Sequence, residues 1–253
     1  MVHSKALRAR LTSWLAERLE GVDVELGMTY GQPSTKPAVS KLVPKGCDRI
    51  VCLPLYPQYS GSTTGSVLDK VFSSLGARRH IPAMRTVTTY ASHPAYISAL
   101  AVSDRETWTS HRPDVLLLSF HGVPKSCVDA SAPYDGQCME TVGLLREALG
   151  LDARSCQASF QSRFGHQEWL SPSTEESLIR LGREGVGAVD VACPGFAADC
   201  LEVLEELALE GKETFLEHGG RSFLAIPCLN ERADHVATLG GLFSAESGAL
   251  TLA

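Results

Sequence analysis

The sequence predicts an α/β protein built from two similar halves, each a parallel sheet flanked by helices. Three observations lead there. Apolar, β-branched runs such as "DRIVCLPLYP", "PDVLLLSFHGVP" and "VGAVDVACPGF" alternate with amphipathic helical stretches. The runs are nearly continuous in apolar character, as strands covered on both faces are. The order also repeats: "GCDRIVCLPLYPQYSG" corresponds to "GVGAVDVACPGFAADC", and "VELGMTYGQP" to "CQASFQSRFG".

Leu7, Leu11, Leu15 and Leu19 recur every fourth residue and predict a helix between Ser4 and a stop at Gly21. "VDVELGMTYG" alternates apolar and polar residues, as a strand does. A short helical segment and Gly46 then lead into the strand "DRIVCLPLYP", and Val67, Val71 and Leu75 mark the next helix. In the second half "PDVLLLSFHGVP" is a buried strand, Val142, Leu145 and Leu149 lie on a helix closed by Gly150, and "SCQASFQSRFG" is the following strand. Ser173 and Glu176 have capping-box spacing for a helix carrying Leu178 and Leu181. "VGAVDVACPGF" is the next strand, and the helix with Asp199 follows it. The halves are expected at 1–112 and 113–253, with the last helix packing back on the first half. Nothing in the first half corresponds to "VLLLSFHGVP". One strand of its sheet is therefore expected to be missing, and the chain reads as a fragment or as having a misassigned start.

The 253 residues, 44% of them hydrophobic, suffice for a sizeable core. A net charge of -6 disfavours nucleic acid as a partner. No apolar run approaches the roughly 20 residues that span a bilayer, and "MVHSKALRARL" lacks the apolar core of a signal peptide, so a cytoplasmic location is expected. The eight cysteines are scattered without a C-x-x-C and are expected to be free thiols.

Four places offer chemistry. His121 ends a buried strand where ligands bind in parallel sheets; it suits a base or metal ligand, or simply a hydrogen-bonded strand end. Asp199, Glu202 and Glu206, at i, i+3 and i+7, are expected on one helical face, either as a proton or cation relay or as a solvated acidic surface. "LPLYPQYSGSTTGSV" sets Tyr56, Tyr59, Ser60, Ser62, Thr63 and Thr64 around Gly61 and Gly65, which suits a flat ligand bearing carboxylates or an anion at a helix N-terminus. It lacks the Gly-Lys-Ser/Thr of a phosphate loop, and no G-x-G-x-x-G follows any strand. "SFQSRFGHQEWLSPST" brings Arg163, Phe164, His166 and Trp169 between a strand and a capped helix, either as pocket lining or as packing over the core.

Taken together, "MTYGQPS", "LPLYPQYSGSTTGSV", "LLSFHGVP", "FQSRFGHQEWLSPST", "CPGFAADCLEVLEEL" and "IPCLN" resemble, in order and over nearly the whole chain, the ferrochelatases, which insert ferrous iron into a porphyrin. The wording is similar to the proteobacterial branch. The resemblance implies two Rossmann-like chelatase halves with a porphyrin cleft between them and a lyase forming haem b from protoporphyrin IX and Fe(II). It implies His121 and Glu202 as catalytic and metal-binding residues, Asp199 and Glu206 as the proton or metal path, and Tyr30, Tyr56, Ser60, Ser62, Trp169 and Phe196 bordering the porphyrin. Iron would be substrate, with no permanently bound cofactor. No iron–sulfur cluster is expected, because Cys193 and Cys200 are a pair where four ligands are needed. The resemblance leaves room for peripheral membrane contact and fixes no oligomeric state.

The chain departs from the family's wording at Thr29, where many relatives carry arginine, at Cys200, histidine in some, and in "SAPYDGQC" around Tyr134. "MVHSKAL" resembles the family just after its first strand. Alternatives are a noncatalytic tetrapyrrole-binding fragment and a cobalt or nickel chelatase; relatives of the latter kind set histidines on both sides of the site, whereas here one histidine faces acids.

Overall fold

A computed structural model describes residues 1–76, 78–109, 111–129, 133–163, 165 and 167–248; Phe164 and His166 lie outside the described residues. Contacts within the chain divide it after Tyr90 and again after Leu229. One unit is Met1–Tyr90 with the stretch from Asn230 onward, and the other is Ala91–Leu229.

The first unit contains α1 (Val2–Ala16), α2 (Thr35–Leu42), β1 (Arg49–Cys52), a π-turn (Gly61–Gly65) running into α3 (Ser66–Gly76), β2 (Ala83–Thr86) and the last helix, Ala233–Ser247. β1 and β2 pair in parallel, Arg49 opposite Ala83 and Cys52 opposite Thr86. Val39, Ile50, Val71 and Leu75 form a buried cluster under α2 and α3. α1 packs against the last helix. There Gly240 leaves room for the Trp14 ring, whose atoms would lie 2.3 Å from a Cβ. α1 ends at Ala16, short of Gly21, and the turn after it still buries Leu19, whose N–H donates to the Leu15 carbonyl at 2.8 Å. The alternating stretch 22–28 forms no strand: apart from a single bridge from Met28 to Ser34, it has no ladder partner among the described residues. Alternation makes a segment fit a sheet, but a strand exists only where a neighbour accepts its hydrogen bonds.

The second unit runs α4 (Pro94–Thr107), β3 (Val115–His121), α5 (Lys125–Asp129), α6 (Tyr134–Leu149), β4 (Cys156–Gln161), α7 (Thr174–Arg183), β5 (Ala188–Ala192), a π-helix (Glu202–Gly211), α8 (Lys212–Glu217) and β6 (Ser222–Ala225); the last helix of the chain is α9. The helix Pro94–Thr107, which the sequence assigns to a first half ending at 112, clusters with this unit. All four strands are parallel, in the order β4-β3-β5-β6. β3 is flanked on both sides and buried along its first six residues. Val115, Leu117, Val189 and Val191 pack on one face with Leu178, Leu181, Val203, Leu207 and Phe215 from α7, the π-helix and α8. α7 begins with the expected capping box: Ser173 Oγ accepts from the Glu176 N–H, and the Glu176 carboxylate accepts from the Ser173 N–H.

The opposite face buries charge. Asp190, in the middle of β5, accepts hydrogen bonds from Trp108 Nε1 at 2.9 Å and His111 Nε2 at 2.8 Å. Asp104 on α4 is 1% exposed, and its Oδ2 has no hydrogen-bond partner among the described residues. Burial first, then the nearby charge of Asp190, pushes the Asp104 carboxyl up to about 7. A folded-state value above the unfolded one means that the folded chain keeps a proton which the unfolded chain loses. Stability therefore falls as pH rises from about 4 to about 7 and is flat above that. Asp104→Asn should remove this slope and stabilise the protein at pH 8 by about 2–4 kcal/mol. Urea unfolding at pH 5 and pH 8 checks it; an equal effect at both values would refute the assignment.

Candidate active site

β3 carries His121 to the carboxyl end of the sheet, opposite Gln161 in the ladder with β4. The next residue, Gly122, donates its N–H to the Gln161 carbonyl at 2.7 Å. A Cβ on Gly122 would lie 2.7 Å from that same oxygen and 3.3 Å from the Trp169 ring, so only glycine allows the backbones this approach. His121 Nδ1 lies 2.6 Å from the Gly122 carbonyl oxygen. A carbonyl can only accept, so Nδ1 carries the hydrogen, and Nε2 of the neutral ring has the free lone pair. The Tyr134 hydroxyl donates to the His121 carbonyl at 2.7 Å. Burial above all, with Cys138 adding to it, pushes the Tyr134 phenol well above its ordinary value, so it stays a donor. The Phe196 ring stands 6.3 Å from the imidazole, tilted by 55°.

One residue beyond Gln161, Ser162 adopts a left-handed backbone, φ 62°. Its N–H and its Oγ each donate to one oxygen of Glu206, both at 2.5 Å. This double grip ties the end of β4 to the π-helix. Glu202, Glu205, Glu206 and Glu210 line an open cleft of ≈ 820 Å³ together with Gln161, Ser162, Arg163, Glu175 and Glu176. Arg163 pairs with Glu176 at 3.2 Å, leaving the wall strongly acidic. Gln161 thus connects the two parts of the site: it lies opposite His121 and also borders the glutamates. Its Oε1 accepts from Ser119 Oγ at 2.7 Å, and its Nε2 is buried without a hydrogen-bond partner among the described residues.

The expected shared face of Asp199, Glu202 and Glu206 is not formed. The helix starts at Leu201, after Asp199, whose carboxylate accepts from the Cys228 N–H at 2.9 Å. From Glu202 onward the helix is of π type, whose i→i+5 bonds widen the turn and bring i and i+4 glutamates to one side. Cys200 lies beside them; burial and a hydrogen bond to Glu202 push its thiol up to about 12. Among the described residues no group of three or more His, Cys, Asp or Glu side chains is arranged to hold a metal ion.

The family model for ferrochelatase matches residues 1–247. This chain belongs to the ferrochelatase family. It is 45% identical over 249 residues to the ferrochelatase of Aromatoleum aromaticum, covering 98% of this chain and 68% of that protein. It is 46% identical over 246 residues to that of Brucella canis, covering 96% and 70%. In fold it is similar to SirB from Bacillus subtilis with Fe3+, at a TM-score of 0.70 and 11% identity over 97% of this chain and 90% of that one. CbiX, the terminal enzyme of sirohaem biosynthesis in denitrifying bacteria, gives 0.63 at 15% identity over 96% and 90%.

Within this ferrochelatase-family chain the second unit sets Phe196 beside His121 and Trp169 beside Gly122, and puts Glu202 and Glu206 on the cleft that Gln161, the ladder partner of His121, also lines. Trp169 is buried, its ring against Gly122 and its backbone bridged to Pro124. Tyr30, Tyr56, Ser60 and Ser62 belong to the first unit. Tyr30 is 79% exposed, with Lys70 Nζ 4.5 Å above its ring. Ser60 is buried as the cap of the π-turn, accepting from the Thr63 N–H at 3.2 Å and touching Ser62 Oγ at 3.0 Å. The sequence reading overlooked Gly122, Gln161 and the hydroxyls of Tyr134 and Ser162. The motif "FQSRFG" marked the loop, but a left-handed serine has no sequence signature. Gly122→Ala should destabilise the protein by about 1–3 kcal/mol and disturb the His121 ring, because the new methyl displaces the Gln161 carbonyl. Chemical denaturation and the imidazole NMR signals report it; an unchanged spectrum and midpoint would contradict the close approach.

Proposed function

We propose that this chain is a ferrochelatase in the enzymatic sense, a lyase that inserts ferrous iron into protoporphyrin IX to give haem b and two protons. The observation that carries this reading is the imidazole of His121, its Nδ1–H committed to a carbonyl and its Nε2 left basic beside the aromatic face of Phe196. Nε2 accepts a proton from a pyrrole N–H. As the ring becomes an imidazolium, the Nδ1–H···O=C bond becomes charge-assisted and strengthens, favouring the protonated product. The Glu202 and Glu206 carboxylates, in an acid-lined cleft that Gln161 also borders, attract the cation and take part in its delivery. Iron is a substrate in this reading, and the chemistry asks for no resident cofactor.

The aromatic and hydroxyl residues of the first unit, Tyr30, Tyr56, Ser60 and Ser62, are assigned to the porphyrin border on the family pattern. In the second unit Phe196 and Trp169 take the same role. Asp199 anchors the loop ahead of the π-helix through Cys228 and stands at the start of the acidic path. No described helix is long and apolar enough to cross a membrane. We place the reaction in the cytoplasm, with peripheral membrane contact compatible with it.

Purified protein incubated anaerobically with protoporphyrin and Fe(II) should form haem, followed by its absorption. His121→Ala should lower kcat by at least ~100-fold if the imidazole is the base. Glu202→Gln should act differently, raising the KM for Fe(II) more than it lowers kcat. Porphyrin binding without haem formation by the folded parent chain would refute the enzymatic reading, and full activity in His121→Ala would remove the base from His121.

A further inference from the structure

Four buried polar side chains of the second unit run in one line toward His121. Ser119, Ser159, Gln161 and Thr174 are each no more than 4% exposed. Ser119 and His121 share one face of β3, and their ladder partners Ser159 and Gln161 share the same face of the sheet. Thr174, the first residue of α7, closes the line from the helix side. The hydrogens can be placed one by one, because a hydroxyl has a single one to give. Ser119 gives its hydrogen to Gln161 Oε1 at 2.7 Å. Thr174 therefore donates to Ser119 Oγ at 2.8 Å, and Ser159 to Thr174 Oγ1 at 3.0 Å. Burial pushes the Cys193 thiol well above its ordinary value, so it stays an S–H, 3.9 Å from the same Oε1. The orientation of the amide follows. Turned over, Gln161 would present its oxygen to the acid-lined cleft that it borders and leave Cys193 without an acceptor.

What remains is Nε2, whose hydrogens have no partner among the described residues although Gln161 is 2% exposed. Buried donors are nearly always satisfied, and one left open beside a basic imidazole calls for an acceptor that arrives with a ligand. Successive hydrogen bonds into Oε1 polarise the amide and make its N–H groups stronger donors. An anion does not fit the cleft, because Glu202, Glu205, Glu206 and Glu210 repel it. A hydrated cation turns the lone pairs of its waters inward to the metal. The acceptor is thus uncharged. In the reaction proposed above a free-base porphyrin supplies it, since two of its four inner nitrogens carry hydrogen and two carry lone pairs.

We propose that Gln161 is a substrate-binding residue whose Nε2–H donates to an unprotonated inner nitrogen of the porphyrin, next to the N–H that His121 deprotonates. Resting on the ferrochelatase reading, this contact adds a selection to it. A lone-pair nitrogen held against Gln161 fixes the tautomer, so that a hydrogen-bearing nitrogen faces Nε2 of His121. Once the metal is in, all four lone pairs are engaged and the bond to Gln161 is gone. The contact therefore favours substrate over product.

The test compares the Kd of the full chain for protoporphyrin IX and for its zinc complex, by fluorescence titration. Gln161→Met keeps the side-chain length and removes both hydrogens. It should raise the Kd for the free base about 10-fold and leave that for the zinc complex unchanged within about twofold. In the parent chain, followed by NMR, protoporphyrin should slow exchange of the Gln161 side-chain hydrogens, and the zinc complex should not. An equal rise for both ligands would make Gln161 a packing residue and overturn the proposal, as would no rise for either or equal slowing by both. A parent chain that binds neither ligand overturns the ferrochelatase reading and this inference with it; one that forms haem while the variant binds as the parent does overturns the inference alone.

Discussion

The six-residue parallel ladder between β3 and β4 is the constraint on which the site depends. Side chains alternate along a strand, so a slip of one residue would turn His121 to the opposite face and place Gly122 where no close approach is needed. The register is held at both ends. Below, Leu116, Leu117 and Leu118 are buried against two sheets of helices; above, Gly122 closes onto the Gln161 carbonyl. The main chain at His121 is then fixed by the ladder on one side and by the Tyr134 hydroxyl on its carbonyl. With the ring's Nδ1–H also satisfied, rotation of the imidazole costs a hydrogen bond, and Nε2 is presented in one direction.

Two uncommon backbone conformations meet at the acidic side. A left-handed serine costs on the order of 1 kcal/mol, and a π-helix replaces well-aligned i→i+4 bonds with wider ones. Each supports the other through the Ser162–Glu206 contact, where two hydrogen bonds to a carboxylate are charge-assisted. The strain at Ser162 aims both its donors at Glu206, and the wider turn brings Glu202 and Glu206 to the same wall. The arrangement leaves Glu202 as the glutamate of the pair not gripped by the β4 loop.

Much of this was legible in the sequence. The continuous apolar run before His121 could only be a strand covered on both faces, and "CPGFAADCLEVLEEL" placed a glutamate-rich helix after another such strand. What could not be read depends on long-range pairing. The face assigned to Asp199 assumed that the helix already runs through it, and nothing in the local sequence announces that it starts only at Leu201. The role of Gly122 needs Gln161 beside it, 39 positions on by number, and only the ladder supplies that neighbour. The buried charge of Asp104 and Asp190 also escaped, because an aspartate within an amphipathic helix reads as solvent-facing until α4 is laid on the sheet.

The stretch 22–28 separates propensity from context most clearly. Its alternation is at least as regular as that of "SCQASFQSRFG", yet the latter is a strand and the former is not. The difference lies in the neighbour: β4 has β3, and 22–28 has none among the described residues. A two-stranded sheet gains its stability from the helices packed on it, so the first unit rests on the clusters around Val39, Val71 and Leu75 and on the Trp14–Gly240 contact more than on its ladder. The second unit carries His121 at the end of β3, which is paired on both flanks over Leu116–Leu118. The imidazole of His121 thus stands at the end of a strand paired on both sides, while the exposed Tyr30 and the buried cap Ser60 belong to the unit with the two-stranded sheet.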